Sequence, residues 1–389
     1  MFPKISLPIQ LLLVITTVII FGSYIPESAI QLFYTLSVIF KECLNFMLPF
    51  MVFAFICAGI LSFKQRAPFV IGIMLALVFI SNMLTPLISY LVSTMMLGAI
   101  TNNIILTEIA THCSMKPLFI FMLPRVIAPE HAIFIAVATG SLVAYFNIIQ
   151  AQYMIFECKK SIEWIINKLF IPILPLYVFG FLIELYHRGV FYDLFQSYGK
   201  TYALIITLQY LLLIIIYLIA AGFNFRKALT YIRNAMPSYL TAFGTMSSTA
   251  SIPVTVKCAE KNTNNKPLAE IASPILANIH MLGDAVTVPI LAVVTLYLFQ
   301  GTVPAFSSFL KFMLYYSTTM LAASGIPGGG IMVTIPILKS ILGCSDAMIS
   351  IMITLHLLQD GFGTGGNVMG DGAIIIMINN ILKRFSLKK

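Results

Sequence analysis

The chain has 389 residues, of which 59% are hydrophobic and 10% are charged, and its formal net charge is +9. Soluble domains carry about 25% charged residues, so the composition excludes a soluble globular protein and predicts an integral membrane protein. The basic residues lie in loops between apolar runs, which indicates membrane topology rather than nucleic-acid binding. The six cysteines are scattered without a C-x-x-C pair, and the five histidines form no H-E-x-x-H motif. This favours unpaired thiols and argues against disulfides or a structural metal.

Long apolar runs predict membrane-spanning helices, which need about 20 mostly apolar residues. A transmembrane β-barrel would instead show alternating segments of about 10 residues. In the first half of the chain we predict spans at residues 8–25, 38–63, 68–98, 161–185 and 203–223, with a long irregular region at 103–152. The first run resembles a signal peptide in length, but no A-x-A-like cleavage site follows it, so we interpret it as a span.

The second half of the chain is apolar but interrupted. The breaks are TMSSTASIPVT within 227–262, NIHMLGD within 268–299 and ASGIPGGG within 305–343, and the last run covers 346–385. A break in the middle of an apolar segment is costly unless it lines a cavity inside the protein. Interrupted segments in corresponding positions of two halves indicate a transporter's binding site. We predict an all-α membrane protein with eight transmembrane helices and two opposed re-entrant hairpins, at about 227–262 and 305–343.

The distribution of Lys and Arg predicts the orientation of the chain. If each hairpin enters and leaves on one side, the basic loop KCAEKNTNNK faces the cytoplasm with both termini, and the uncharged segment FQGTVPAFSSF faces outward. This arrangement fits the positive-inside rule best. The short Lys-rich ends and the lack of glycosylated loops are typical of bacteria. We therefore predict a multi-pass protein of the bacterial inner membrane with cytoplasmic N- and C-termini.

Three aspartates, Asp284, Asp360 and Asp371, fall in the middle of predicted spans. A charge at the bilayer centre costs about 2.5–3.5 kcal/mol, and such residues are functional by default. A structural ion pair is the alternative, but no Lys or Arg lies mid-span beside them. Thr364 and Asn367 share one helical face with Asp360 and Asp371, because the four follow spacings of 4, 3 and 4 residues.

Two histidines lie close to these carboxylates in the sequence. His280 and Asp284 are four residues apart and would share a face if that segment is helical. His356 precedes Asp360 by about one helical turn. A histidine inside a span is often a satisfied core residue, but here each one neighbours a carboxylate, which favours a coupling role.

The two hairpin tips and the glycines of the last run suit a ligand site. The tip SSTASIP offers hydroxyls and backbone N–H groups at a helix start, which can hold a carboxylate. The tip ASGIPGGG offers the flexibility of a lid. The glycines of 357–374 permit close packing against the hairpins and the approach of a ligand. A serine-rich turn and a plain loop are the alternative interpretations of the two tips.

On these motifs the chain resembles the dicarboxylate/amino acid:cation symporters, the glutamate-transporter family. The motifs SSTASIPVT (247–255), HMLGD (280–284), SGIPGGG (324–330) and DGFGTGGNVMGD (360–371) stand in the family's order, and the first 220 residues agree in the number and length of spans. The resemblance implies a homotrimer of independent protomers with inverted repeats and an elevator-type mechanism. The implied scaffold comprises residues 1–66 and 100–190, and the implied transport unit comprises 67–99 and 200–389.

The resemblance also implies roles for individual residues. The implied substrate-binding residues are Ser247, Ser248, Thr249, Met281, Asp284, Ile326, Gly330, Asp360, Gly363, Thr364 and Asn367. Asp360 would hold the amino group of the substrate, Asn367 and Thr364 its α-carboxylate, and the backbone of Ser248 and of the second tip would close over it. The residues implied in cation or proton coupling are Asn278, His280, Asn367 and Asp371, with Asp371 and Asn367 as sodium ligands.

The chain departs from the family pattern at the side-chain pocket. The last-helix arginine that grips a side-chain carboxylate is Gly363 here, the arginine beside the first tip is Met246, and the threonine facing the side chain is Asp284. An acidic substrate would meet a like charge without a counter-charge, which disfavours it by on the order of several kcal/mol. We therefore expect a neutral or cationic amino acid rather than glutamate or aspartate.

The coupling positions depart from the pattern as well. The aspartate of the family's NMDGT motif is Leu282 and its asparagine is His280. Leucine offers no oxygen to a hard cation, so we expect protons to replace part of the sodium coupling. His280 and Asp284 are the expected carriers, with His356 as a lesser candidate. We expect no cofactor beyond sodium ion or proton as the coupling ion, and an amino acid and the lipid bilayer as partners.

Other functions stay open at this point. One is a dicarboxylate or glutamate:proton symporter with an altered side-chain pocket, and another is a channel-like or sensor relative. An intramembrane aspartyl protease needs two membrane aspartates, one of them in a G-x-G-D setting. Both MLGD and VMGD lack the first glycine, so we expect no enzyme.

Overall fold

Helices make up most of the residues that the computed structural model describes, which are 7–62, 68–101, 115–119, 121–124, 129–189, 191–320, 323, 325 and 327–386. No strand occurs among these residues. The helices are α1 (Leu7–Phe21), α2 (Glu27–Ser62), α3 (Pro68–Thr101), α4 (Pro129–Phe146), α5 (Ile149–Ile165), α6 (Ile171–His187), α7 (Phe191–Ala220), α8 (Phe225–Thr245), α9 (Ser248–Thr263), α10 (Lys266–Leu276), α11 (Leu282–Gln300), α12 (Phe306–Met320), α13 (Gly329–Ser340) and α14 (Asp346–Ser386). A π-helical turn, Ile166–Phe170, joins α5 to α6.

Within the described residues, four helical stretches are long and apolar enough to cross a membrane. They are Val70–Thr101, Ile149–His187, Phe195–Ala220 and Leu282–Gln300. Shorter apolar helices occur at Ile9–Tyr24, Pro49–Ala58 and Gly329–Ser340. The chain is therefore a multi-pass membrane protein. The number of eight spans and the side from which each hairpin enters stay predictions.

The region predicted to be irregular, 103–152, is helical over much of its length. Helix α4 and the start of α5 lie inside it, and Asn147 separates them with a left-handed backbone (φ 53°). Asparagine tolerates this conformation better than most residues, so the chain turns there without a glycine. The prediction of an irregular region was wrong from residue 129 onward, while residues 102–114, 120 and 125–128 lie outside the described part.

The helices pack in two groups. In the first, α2 packs against α4, α5 and α6, and in the second, α14 packs against α7, α8, α9 and α11. Helix α3 comes early in the chain but packs against α11 and α12. The packing therefore places α3 with the helices of the second half.

The predicted breaks of the second half occur in the structure. Met246 ends α8 in a left-handed conformation (φ 51°), and the Ser247 hydroxyl caps α9 by accepting the N–H of Ala250 at 3.2 Å. Residues 277–281 separate α10 from α11, and residues 321–328 connect α12 to α13. Two broken helical pairs thus flank α11, as the sequence predicts.

Helix α14 runs through the glycine-rich stretch without a break. Its polar residues Asp360, Thr364, Asn367 and Asp371 are each at most 4% exposed. Helix α8 lies close against it, because a side chain at Gly365 would meet the ring of Tyr239 at 2.5 Å. The glycine allows α8 to approach α14, which confirms the prediction of close packing against the first hairpin.

The cysteines behave as their spacing predicts. The free thiols are Cys43, Cys57, Cys158, Cys258 and Cys344. Cys113 lies outside the described residues. The prediction of unpaired thiols is thus confirmed for the part of the chain that the structure describes.

Candidate functional site

Both hairpin tips and the break before α11 meet at one place. The Ser247 hydroxyl donates to the carbonyl of Gly325 at 2.7 Å, and the N–H of Thr249 donates to the same carbonyl at 3.1 Å. The N–H of Gly325 donates to Asn278 Oδ1 at 3.4 Å. The first tip, the second tip and the α10–α11 break therefore form one hydrogen-bonded unit.

A small cavity lies beneath the tips. Its volume is about 10 Å³. Its lining residues are Met246, Ser248, Met281, Asp284, Gly325, Gly329, Gly330, Asp360, Thr364 and Asn367. This room fits about one water molecule, so entry of a larger ligand requires the tips to separate.

Three helix starts face this cavity. Ser248 is the first residue of α9, Gly329 is the first residue of α13, and Met281 precedes α11. Helix N-termini carry positive partial charge and unpaired N–H groups. None of the lining residues is Lys or Arg, so these backbone ends supply the positive potential of the lining.

Asp360 joins the last helix to the second tip. Its Oδ2 accepts the N–H of Gly328 at 2.8 Å, and its Oδ1 accepts the hydroxyl of Thr364 at 3.0 Å. Gly328 has a left-handed backbone (φ 69°), which suits glycine and turns the chain into α13. The position of the second tip is therefore tied to the Asp360 carboxylate.

Asp284 uses both of its oxygens within the protein. His356 Nε2 lies 2.7 Å from Oδ1, and the Asn367 amide donates to Oδ2 at 3.2 Å. A side chain at Gly330 would meet Oδ2 at 2.4 Å, so only glycine fits there. Asp284 thus binds α14 to the first turn of α11, and α13 passes close beside its carboxylate.

The second buried histidine pairs with a different carboxylate. His280 Nδ1 lies 2.9 Å from Asp371 Oδ1, and its Nε2 lies 2.9 Å from the hydroxyl of Ser81 on α3. From the sequence we expected His280 and Asp284 to share a face only if their segment is helical. Residue 280 precedes α11, which begins at Leu282, so the four-residue rule of a helix does not apply.

Asp371 and Asn367 are the predicted sodium ligands, and they differ in whether a side-chain oxygen lacks a hydrogen-bond partner. Asp371 Oδ2 is buried and has no hydrogen-bond partner among the described residues. Asn367 Oδ1 accepts the N–H of Gly283 at 2.7 Å. The carboxylate therefore keeps one oxygen for a cation, whereas both ends of the Asn367 side chain are engaged.

Some predicted residues lie beside the cavity rather than in its lining. Ser247, Thr249 and Asn278 hold the tips together, and Ile326 lies outside the described residues. A side chain at Gly363 would meet the amides of Gln359 (3.4 Å) and Gln209 (3.8 Å) rather than the cavity.

The sequence reasoning did not find Gln209 and Gln359, whose amides flank Gly363. It considered Met246 for the side-chain pocket, but gave no individual role to Gly325 and Gly329, which line the cavity with Met246. The lining residues sit within the two interrupted tips, so the breaks were the available signal. Gln209 lies in an unbroken apolar run and is recognisable only once α7 is placed against α11 and α14.

The amino-acid sequence is similar to known proteins. The model of the sodium:dicarboxylate symporter family matches residues 7–381. The chain is similar to the neutral amino acid transporter B(0) of Homo sapiens, with 27% identity over 246 residues, which cover 62% of this chain and 43% of that protein. The transporter of the same name from Macaca fascicularis is 26% identical over 250 residues, covering 64% of this chain and 44% of the relative. The matched part thus spans less than half the length of these relatives.

Proposed function

Because the chain belongs to the sodium:dicarboxylate symporter family, we propose that it is a secondary active, cation-coupled symporter of amino acids. The observation that carries this proposal is the cavity closed by both hairpin tips over Asp360. A carboxylate buried among helix starts can hold the ammonium group of an amino acid, while N–H groups receive its carboxylate. Members of the family are transporters, which agrees with the expectation of no enzyme.

Asp360 is the proposed partner of the substrate amino group. It accepts from Gly328 in the closed arrangement, so a bound ammonium group would compete with the second tip for the same oxygens. The start of α9 at Ser248, with Thr364, is the proposed site for the α-carboxylate. Asn367 gives one amide N–H to Asp284 and accepts from Gly283, so its second N–H can donate to the α-carboxylate.

The proposed substrate is a neutral or cationic amino acid. Asp284 lies in the lining, and no basic side chain lies there to pair with an acidic substrate. The amides of Gln359 and Gln209 occupy the space beside Gly363, where the family's arginine would extend. Both relatives are named neutral amino acid transporters, which supports the same choice. A dicarboxylate:proton symporter remains the alternative.

For coupling, we assign the cation position to Asp371. Its Oδ2 is free for a cation, while the imidazole of His280 holds Oδ1. Leu282 offers no oxygen, so one ligand of the family's sodium sites is missing. A protonated His280 would supply positive charge at this position, and we propose that protons thereby replace part of the sodium coupling.

The remaining predictions belong to the same proposal. The packing of α3 against α11 and α12 supports a transport unit formed by residues 67–99 and 200–389, moving in elevator fashion against a scaffold of 1–66 and 100–190. We also propose that the protein is a homotrimer of the bacterial inner membrane and that both of its termini are cytoplasmic.

A thermal-shift screen of the purified protein tests the proposal. Amino acids of each charge class are added with and without sodium and across pH, and a ligand raises the unfolding temperature by mass action. We expect stabilisation by neutral or basic amino acids that depends on pH more than on sodium. If no amino acid raises the unfolding temperature under any of these conditions, the proposal of an amino-acid symporter is refuted.

A further inference from the structure

We propose that Asp284, His356 and Asp360 form a binding site for a divalent transition-metal ion such as Zn²⁺ inside the cavity. One potential ligand atom from each of the three lies within 4.8 Å of the others. Each residue is at most 3% exposed. Asp284 and Asp360 both line the cavity, so the ligand atoms meet at its wall.

The ligand types select this class of metal. Imidazole nitrogen with carboxylate oxygen suits Zn²⁺ and Co²⁺, whereas Mg²⁺ and Ca²⁺ prefer oxygen alone. Zinc bonds of about 2.0–2.2 Å place ligand atoms roughly 3.5 Å apart in a tetrahedron. His356 Nε2 and Asp284 Oδ1 already face each other at 2.7 Å, so a metal would separate these two atoms slightly and draw the Asp360 carboxylate towards them.

Neighbouring groups already orient both carboxylates. Asp284 Oδ2 accepts from Asn367, and the oxygens of Asp360 accept from Gly328 and Thr364. Such hydrogen bonds hold ligating carboxylates in place and sustain metal affinity. The carboxylates therefore need little reorganisation to bind an ion.

The charge of the site and the volume of the cavity both suit a divalent ion such as Zn²⁺. Two carboxylates and a neutral imidazole carry two negative charges, which one divalent ion balances in a buried place where unpaired charge is costly. The cavity has room for about one water molecule. Three protein ligands with one open position form a typical zinc site.

A bound metal would exclude the amino acid. It would use Asp360, the proposed partner of the substrate amino group, and would hold α11 to α14. This consequence rests on the proposed function, whereas metal binding itself does not.

Binding of the metal alone tests the site. Purified full-length protein is treated with chelator, freed of it and titrated with Zn²⁺, Co²⁺ and Mg²⁺ by calorimetry. We expect one Zn²⁺ or Co²⁺ per chain and no comparable binding of Mg²⁺. His356→Gln should weaken Zn²⁺ binding at least about tenfold, whereas His187→Gln, an exposed histidine at the end of α6, should bind like the wild type.

The outcomes separate this site from adventitious binding. Zn²⁺ affinity that survives both His356→Gln and Asp284→Asn would overturn the proposal, as would absence of saturable binding. If a variant does not fold, the visible absorption spectrum of Co²⁺ bound to the wild type tests the proposal instead. Co²⁺ in a site with a nitrogen ligand and a low coordination number has a different spectrum from hexaaqua Co²⁺, and a spectrum like that of hexaaqua Co²⁺ would overturn the proposal. Amino-acid uptake measured with chelator present reports on the transport proposal independently.

Discussion

At the scale of single residues, Asp360 carries the largest share of the proposed substrate binding. Asp360→Asn removes the charge that would hold the ammonium group, and we expect amino-acid affinity to fall at least about tenfold, since a charged hydrogen bond is worth about 1.5–3 kcal/mol. Calorimetry on the purified protein measures it. Asp346→Asn is the matched control, because Asp346 lies on the same helix with a side chain 47% exposed. Equal affinities of the three proteins would contradict the assignment.

His280 and Leu282 determine the proposed change in coupling. The double variant His280→Asn and Leu282→Asp removes the imidazole from Asp371 and adds an oxygen ligand for a hard cation. We expect sodium to stimulate uptake into liposomes more strongly than in the wild type, with a weaker response to a pH gradient. His280→Asn with Leu282 kept serves as the control, because it removes the imidazole without adding an oxygen at residue 282. An unchanged sodium response in the double variant argues against the assignment.

The buried polar residues were predictable from the sequence, whereas their partners were not. Asp284, Asp360 and Asp371 stood out because carboxylates are rare in apolar runs. The pairs His280–Asp371 and His356–Asp284 join residues far apart in the chain. Periodicity relates residues on one helix and carries no information about which faces of separate helices meet.

At the scale of elements, Ser247 caps α9 and also binds the opposite tip. Ser247→Ala should lower the free energy of unfolding by about 0.5–2 kcal/mol, as for other N-caps, and should speed release of bound amino acid because the tips lose a contact. Asn224→Ala removes the N-cap of α8, where Asn224 accepts from Lys227, without touching the other tip. Asn224→Ala should lower the free energy of unfolding without changing the rate of amino-acid release. Faster release in both variants would contradict a role of Ser247 in holding the two tips together.

The approach of α13 to α11 depends on Gly330. Gly330→Ala would place a carbon 2.4 Å from Asp284 Oδ2, and overpacking of this kind costs about 1–3 kcal/mol. We expect a lower melting temperature and impaired uptake. Gly244→Ala on α8 meets nothing within 4 Å and should be neutral or stabilising, since alanine favours helix by about 0.5–1 kcal/mol. Comparable losses in the two variants would show that the contact does not matter.

The helices and their breaks followed closely from the sequence. Polar and glycine-rich interruptions marked the tip at 246–247 and the break at 277–281, because a membrane helix is interrupted only where protein surrounds it. Helix α4 and the start of α5 were missed, because they lie in the region 103–152 that was predicted to be irregular.

At the scale of the whole molecule, the two groups of helices account for the proposed motion. Helix α14 and its neighbours contain the cavity, while α4, α5 and α6 pack on α2, and α13 also contacts α2 and α4. Because α3 packs with α11 and α12, the moving unit would include a helix that the chain order alone assigns to the first half. A site carried within one group can move across the membrane as a body.

The charge of the transported substrate tests the central claim most directly. Purified protein in liposomes is offered labelled neutral, basic and acidic amino acids under combined sodium and proton gradients, with protein-free liposomes as the control. We predict saturable uptake of a neutral or basic amino acid that excess aspartate does not inhibit. Saturable uptake of aspartate or glutamate, with none of any neutral or basic amino acid, would contradict the account.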